Sequence, residues 1–407
     1  MTLNVPRPQP LGALPWPAGM LLVPDGPGSA ETAAALAVGT EPAEWPAALA
    51  HVRLALDGDV EGAAAAVDGD DDVARYNRAV LVGGDEAWAD LVARTSGELG
   101  ALARTAAFSV GMLDEPPTTD EATGEVAATI GSARAAWALE QGDVVGASEE
   151  LDAAAGLASA GGAPLLSASL RLTRSEILRE GLGDPAAAAT EADSAIKALP
   201  LSAPTELRAE LQVARALARQ ELAGDNKGAL LAVVADLTEA VKVLREDTHP
   251  ELFAVINQQL ALAYLMMPMG DDGDRIRLGV AVTSLRAALR VFTPQTHPGA
   301  WATTQVNLAN ALQYLPSAHQ ESNLDEAVQL YEEVLSYRDE AVDPVGVARI
   351  LTNQANALGH LGVLDDATER LDRARGLFAS AGDEGGVQAV DELLAEVAEA
   401  RARRDGA

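Results

Sequence analysis

The sequence predicts an all-α solenoid built from stacked helix-turn-helix units, and three observations predict it. The first is repeated text: Thr248-His249-Pro250 and Thr296-His297-Pro298 each open an apolar helical stretch, and a third copy follows from Pro344. The second is a regular spacing, since Gly142, Gly183 and Gly224 stand 41 residues apart in Gly-Asp turns. A period of that size is the mark of stacked two-helix repeats. The third is composition: hydrophobic residues make up 48% of the chain but aromatic residues only 3%, the difference being mostly alanine. Alanine favours helix and lets two helices approach closely.

Residues 1–30 hold Pro6, Pro8, Pro10, Pro15, Pro17, Pro24 and Pro27. That density disfavours helices and sheet ladders and predicts an extended proline-rich N-terminal extension. Its apolar residues, Leu11, Leu14, Trp16 and Met20 to Val23, are expected to pack on the chain's own body or on a partner. Residues 31–113 read as a divergent helical-repeat region, with helices over Glu31–Val38, Glu44–Leu56, Val60–Val67, Val73–Val82, Asp85–Thr95 and Gly97–Leu113. Residues 114–124, with Pro116-Pro117 among acids and threonines, read as a linker.

From 125 to 384 the helix pairs become regular. Expected helices are Ala133–Glu140, Val144–Leu157, Leu165–Glu180, Ala186–Leu199, Glu206–Leu222 and Ala229–Arg245, followed by the pairs opening at Pro250, Pro298 and Pro344. The length differences fall in the turns, Met269 to Arg275 and Pro316 to Asn323 being the longest, so the helices are the fixed elements. Residues 385–407 read as a C-terminal capping helix and tail, polar on all sides from Asp391 to Arg404, as the open end of a repeat array requires.

The residues of the last pairs resemble the tetratricopeptide repeat (TPR). Ala355, Leu358, Gly362, Ala367, Leu371 and Ala374 occupy that family's small, large and turn places, as do Ala309, Leu312, Ala327, Tyr331 and Val334 one unit earlier, and Ala261, Tyr264, Ala281, Leu285 and Ala288 before that. The longer period, the proline before the first helix and the text Val306-Asn307-Leu308-Ala309-Asn310 resemble the kinesin-light-chain-like subtype, common also in bacterial TPR arrays. The resemblance covers 248–380 specifically and 130–247 more loosely. It implies a right-handed α-solenoid of TPR-like repeats, a concave groove lined by first helices, and a non-catalytic adaptor or scaffold for protein-protein interaction.

Asparagine is a poor helix-interior residue, so Asn307, Asn310, Asn353 and Asn356 in equivalent places need a reason. Two are open: amides that bind the backbone of a peptide in the groove, or a ladder that sets the register of stacking. Gln259 and Tyr264 one unit earlier, with Gln305 and Gln354, complete the candidate partner-binding set. A carboxylate clamp would need Lys or Arg beside the asparagines, whose neighbours are Gln305, Val306 and Gln354.

No phosphate loop, nucleophile elbow or His-Glu zinc motif is present, so no enzyme, no cofactor and no metal are expected. Cysteine is absent, which removes disulfides and thiolate chemistry. His249 and His297 read as helix entries, each followed by a proline suited to the first turn. Asp57 to Asp68 loosely follows calcium-loop spacing but reads better as a Gly-Asp helix turn. With 61 acidic against 29 basic residues the net charge is −32, which argues against nucleic acid and membrane surfaces and for a neutral or basic protein or peptide partner. No membrane span or secretory leader is evident, so a cytoplasmic protein is expected. Only Lys197, Lys227 and Lys242 are lysines, a bias of bacterial GC-rich coding. Two other functions are open: an assembly factor docking through the N-terminal extension, and a ligand-gated sensor clamping a small molecule between helical regions.

Overall fold

A computed structural model describes residues 5–270, 273–315 and 319–405. The long turns expected at 269–275 and 316–323 lie partly outside these residues. Among them the chain is all-α: nineteen α-helices follow one another, joined by short turns, with no strand. Helices α1 to α6 are Ser29–Ala37, Ala50–Leu56, Val60–Ala66, Asp72–Val82, Asp85–Arg94 and Gly97–Ser109; α7 to α11 are Gly124–Glu140, Val144–Ala160, Pro164–Glu176, Pro185–Ala198 and Thr205–Ala223. Then come α12 (Lys227–Ala240), α13 (Pro250–Met266), α14 (Asp274–Ala288), α15 (Pro298–Tyr314), α16 (Gln320–Ser336), α17 (Pro344–His360), α18 (Leu364–Ser380) and α19 (Glu384–Asp405). None is long and apolar enough to cross a membrane.

The Gly-Asp turns work as joint stop and start signals. Gly142 takes φ 78°, a conformation that favours glycine, and Asp143 then caps α8 by accepting from the Gly146 N–H at 2.8 Å. Asp59, Asp184 and Asp343 cap α3, α10 and α17 in the same way. The calcium-like text at Asp57 is therefore such a turn. His249 and His297 stand at the N-caps of α13 and α15 with Pro250 and Pro298 in the first turn, as expected. Helix 44–56 is shorter than expected because Pro46 holds its surroundings out of the α region, so the helix starts at Ala50 after a 3-10 turn. Conversely α7 starts at Gly124 instead of Ala133, and α9 ends in one π turn, Ile177–Gly181.

The chain forms two compact units, Met1–Leu222 and Ala223–Ala407. In the first, consecutive helices α2 to α10 pack each on the next, and Leu211 and Ala218 seat α11 on α9, α10 and the π turn. The extension belongs to this unit: Val5, Leu11, Leu21, Leu22 and Val23 are buried in its core. Polar bonds fix its path. Arg7 reaches Glu125 at 2.5 Å and Glu98 at 2.6 Å, both carboxylates buried, and donates to the Thr123 carbonyl at 2.7 Å. Gln9 ties the strap to itself through both Val23 backbone groups, and Asn77 on α4 pairs with both Leu22 backbone groups at 2.8 Å. Residues 114–124 thus lie inside a unit whose two flanks share one strap.

The second unit stacks α12 to α19 in order, each first helix also touching the next first helix. Its crossing points are small: Ala261, Ala281, Ala309, Ala327, Ala367 and Ala374 are fully buried, and Tyr331 fills the space between. Trp301 is buried and stacks edge-on against Tyr337, while Arg290 covers the ring of half-buried Phe253. These are packing roles. Both units are α-solenoid in construction, because each pair leaves an apolar side that only the next pair covers.

Candidate functional site

The N-caps His249, His297, Asp343 and Asp383 bring α13, α15, α17 and α19 into register, so equivalent residues can be read across. Positions i, i+4, i+7 and i+11 lie within one turn-facing stripe of a helix. On α13 that stripe is Val255, Gln259, Leu262 and Met266; on α15, Thr303, Asn307, Asn310 and Tyr314; on α17, Arg349, Asn353, Asn356 and His360. Every one of these residues is half-buried or exposed. The stripes adjoin: the Asn353 amide donates to Asn310 Oδ1 at 3.1 Å and the Asn356 amide to Gln313 Oε1 at 3.3 Å. Gln258 similarly reaches from α13 to Thr304 Oγ1 at 2.7 Å.

Behind the stripe the asparagines enter a network. The Tyr331 hydroxyl donates to Asn310 Oδ1 and accepts from the Gln313 amide at 2.6 Å, and Gln320 holds the Gln313 carbonyl at 2.9 Å. One chain of side-chain bonds thus runs through α15, α16 and α17. Burial pushes the Tyr331 hydroxyl well above the usual phenol range, so it remains a donor. Asn307 stands apart: half-buried in the middle of the face, it makes no hydrogen bond among the described residues.

The structure brings Asn307, Asn310, Asn353, Asn356 and Gln259 onto one face and places three other candidates off it. Gln305, Gln354 and Tyr264 lie about 140–200° round their helices from the stripe. Gln305 is buried and donates to Glu333 at 2.8 Å, and Gln354, also buried, donates to Glu332 at 2.9 Å. Both hold the second helix of a pair. Tyr264 packs against the core cluster at the large-residue position shared with Leu312 and Leu358. Their spacing already sets them off the asparagine face, since residues one or two positions apart on a helix do not face the same way. Reading the register across also adds Arg349 and His360, which the repeated text concealed because nothing matches them in α15. The network partners Gln313 and Tyr331 needed the second helix in place.

Among the described residues no group of three or more His, Asp or Glu is placed to share a metal ion. The stripe offers amides, aliphatic carbons, the Met266 thioether, the Thr303 and Tyr314 hydroxyls, one guanidinium and one imidazole. Such a face can bind by hydrogen bonds and apolar contact.

No protein-family model matches the chain, and no curated protein is similar to it. Solved structures similar to it include the TPR2AB domain of yeast Sti1 in complex with pHSP90, at 15% identity over 67% of this chain and 98% of that one, with TM-score 0.25. The human IFIT1 dimer with PPP-AAAA matches at 13% identity over 84% and 69%, TM-score 0.39. A circular tandem repeat protein matches at 15% identity over 88% and 90%, TM-score 0.24. The fold assignment rests on the helix pairing described above.

Proposed function

We propose that the chain is a non-catalytic adaptor of the TPR type, of the kinesin-light-chain-like kind, and that its second unit holds a peptide segment of a partner protein against α13, α15 and α17. The observation that carries this reading is Asn307. Its half-buried amide sits in a helix interior, where asparagine is a poor helix former, and with neither donor nor acceptor used by the fold both remain open to a ligand. It lies between Gln259 and Asn353 on adjacent first helices, so an extended backbone crossing the stripe would meet an amide on each.

The asparagines divide between the two roles that the sequence left open. Asn310, Asn353 and Asn356 set the register of stacking through one amide atom each and keep the other for a ligand. Asn307 is left wholly for a ligand. The assembly-factor reading relied on an apolar extension free to dock, whereas its aliphatic side chains are buried in the first unit, leaving Trp16 exposed.

The test is affinity capture from the native cell, quantified by mass spectrometry, with wild type and Asn307→Ala. Loss of specific partners at an unchanged Tm supports the reading. Equal capture overturns it.

A further inference from the structure

The face is unlike the rest of the molecule in charge. The protein carries 61 acidic residues, yet α13, α15 and α17 together contain one, Glu251, in a first turn. The second helices carry the carboxylates instead: Glu321, Asp325, Glu326, Glu332 and Glu333 on α16, and Asp365, Asp366, Glu369 and Asp372 on α18. Among the stripe residues only Arg349 and His360 can be charged, and neither has an ion-pair partner among the described residues. A basic ligand would therefore find no carboxylate within the stripe itself.

The fourth first helix changes character. In register with Asn353, Asn356 and His360, α19 presents Leu393, Glu396 and Ala400. Aliphatic side chains at two of these places leave an open cleft of about 210 Å3 between α17, α18 and α19. Its floor is Leu364, Leu371, Leu393 and Val397, and Asn356 lines it as well as the amide stripe. Glu396 and Arg403 stand at its rim with opposite charges.

We propose that the groove takes a peptide segment without charged side chains along α13 to α17, anchored by one large apolar side chain in the α17–α18–α19 cleft. This rests on the groove reading above and specifies its ligand. An uncharged backbone matches the amides at no desolvation cost for an unpaired ion, and the apolar anchor is the part that the aliphatic floor of the cleft desolvates. The net charge of −32 then steers nothing into this site, and affinity is insensitive to salt.

The full chain is panned against a displayed random dodecapeptide library, and enriched peptides are resynthesised with a fluorophore for anisotropy at low and high salt. The expected peptides carry no net charge, share one Leu, Met, Phe or Trp, and hold their affinity within about twofold across the salt range. Leu393→Arg, and Ala400→Trp as a second variant that fills the cleft, weaken them about ten- to a hundredfold, the worth of one buried apolar side chain. Enrichment of Lys- or Arg-rich peptides with salt-sensitive affinity overturns the proposal, as does an empty selection. If Asn307→Ala weakens binding and both cleft variants leave it unchanged, the anchor is wrong and the groove reading stands. If none of the variants matters, both fall.

Discussion

Asn353 on α17 donates its side-chain amide to Asn310 on α15 across 3.1 Å, a bond between the first helices of two successive pairs. The Tyr331 hydroxyl from the intervening α16 meets the same oxygen. One carbonyl thus reads the position of two other helices.

Removing that oxygen strands two donors. Asn310→Leu is expected to destabilise the second unit by about 1–3 kcal/mol, since Tyr331 is fully buried and has only Gln313 left. Asn307→Ala is expected to stay within about 0.5 kcal/mol of wild type. Urea titration of both variants checks the contrast; equal losses would mean that Asn307 is structural too.

Close approach at Ala327 is the second prediction. Its side chain is fully buried where α16 crosses its neighbours, so Ala327→Leu forces the pair apart and is expected to cost about 1–3 kcal/mol. Differential calorimetry reads it as a lowered Tm.

Arg7 supplies the third. It is about a third exposed, but Glu98 and Glu125, which it pairs, are not. Arg7→Ala leaves two buried carboxylates without their cation, and a loss of about 2–3 kcal/mol is expected, below the usual 3–5 for a fully buried pair because solvent reaches the guanidinium. Limited proteolysis is expected to cut residues 5–23 of the variant first.

The fourth concerns pH. His51 is buried, and its Nε2 lies 3.2 Å from the Asn77 amide that also donates to the Leu22 carbonyl, so the ring accepts there and is neutral. Burial holds its pKa below the ordinary 6.5. Between the depressed folded value and 6.5 the unfolded chain binds a proton that the folded chain does not. The stability His51 contributes is therefore complete above 6.5 and is lost as pH falls through the folded value. The protection factor of the Leu22 N–H, which donates to Asn77, is expected to fall on acidification, and His51→Phe is expected to remove that fall.

The repeat class was legible because each pair repeats its small and large residues at helical spacing, and Ala309, Ala327, Ala355 and Ala367 are all buried where that spacing puts them. Boundaries were less so. Gly124 could not be told from linker, since a glycine at positive φ can either end a helix or, as here, open one. The candidate face was half legible. Asn307 and Asn353 stand out as polar residues in a helix interior and lie half-buried on that face, whereas Gln305 and Gln354 are equally polar and bind Glu333 and Glu332. Only helix angle, and the identity of the residue opposite, separates the two sets.

The strap has a bearing on how the molecule comes together. Arg7 closes onto Glu125, 118 residues further along, so the first unit completes its core only after a long loop has been drawn shut. In the second unit every helix rests on near neighbours in the chain. Low contact order favours speed, so the second unit is expected to reach its native form ahead of the first, and the strap to be the slow step.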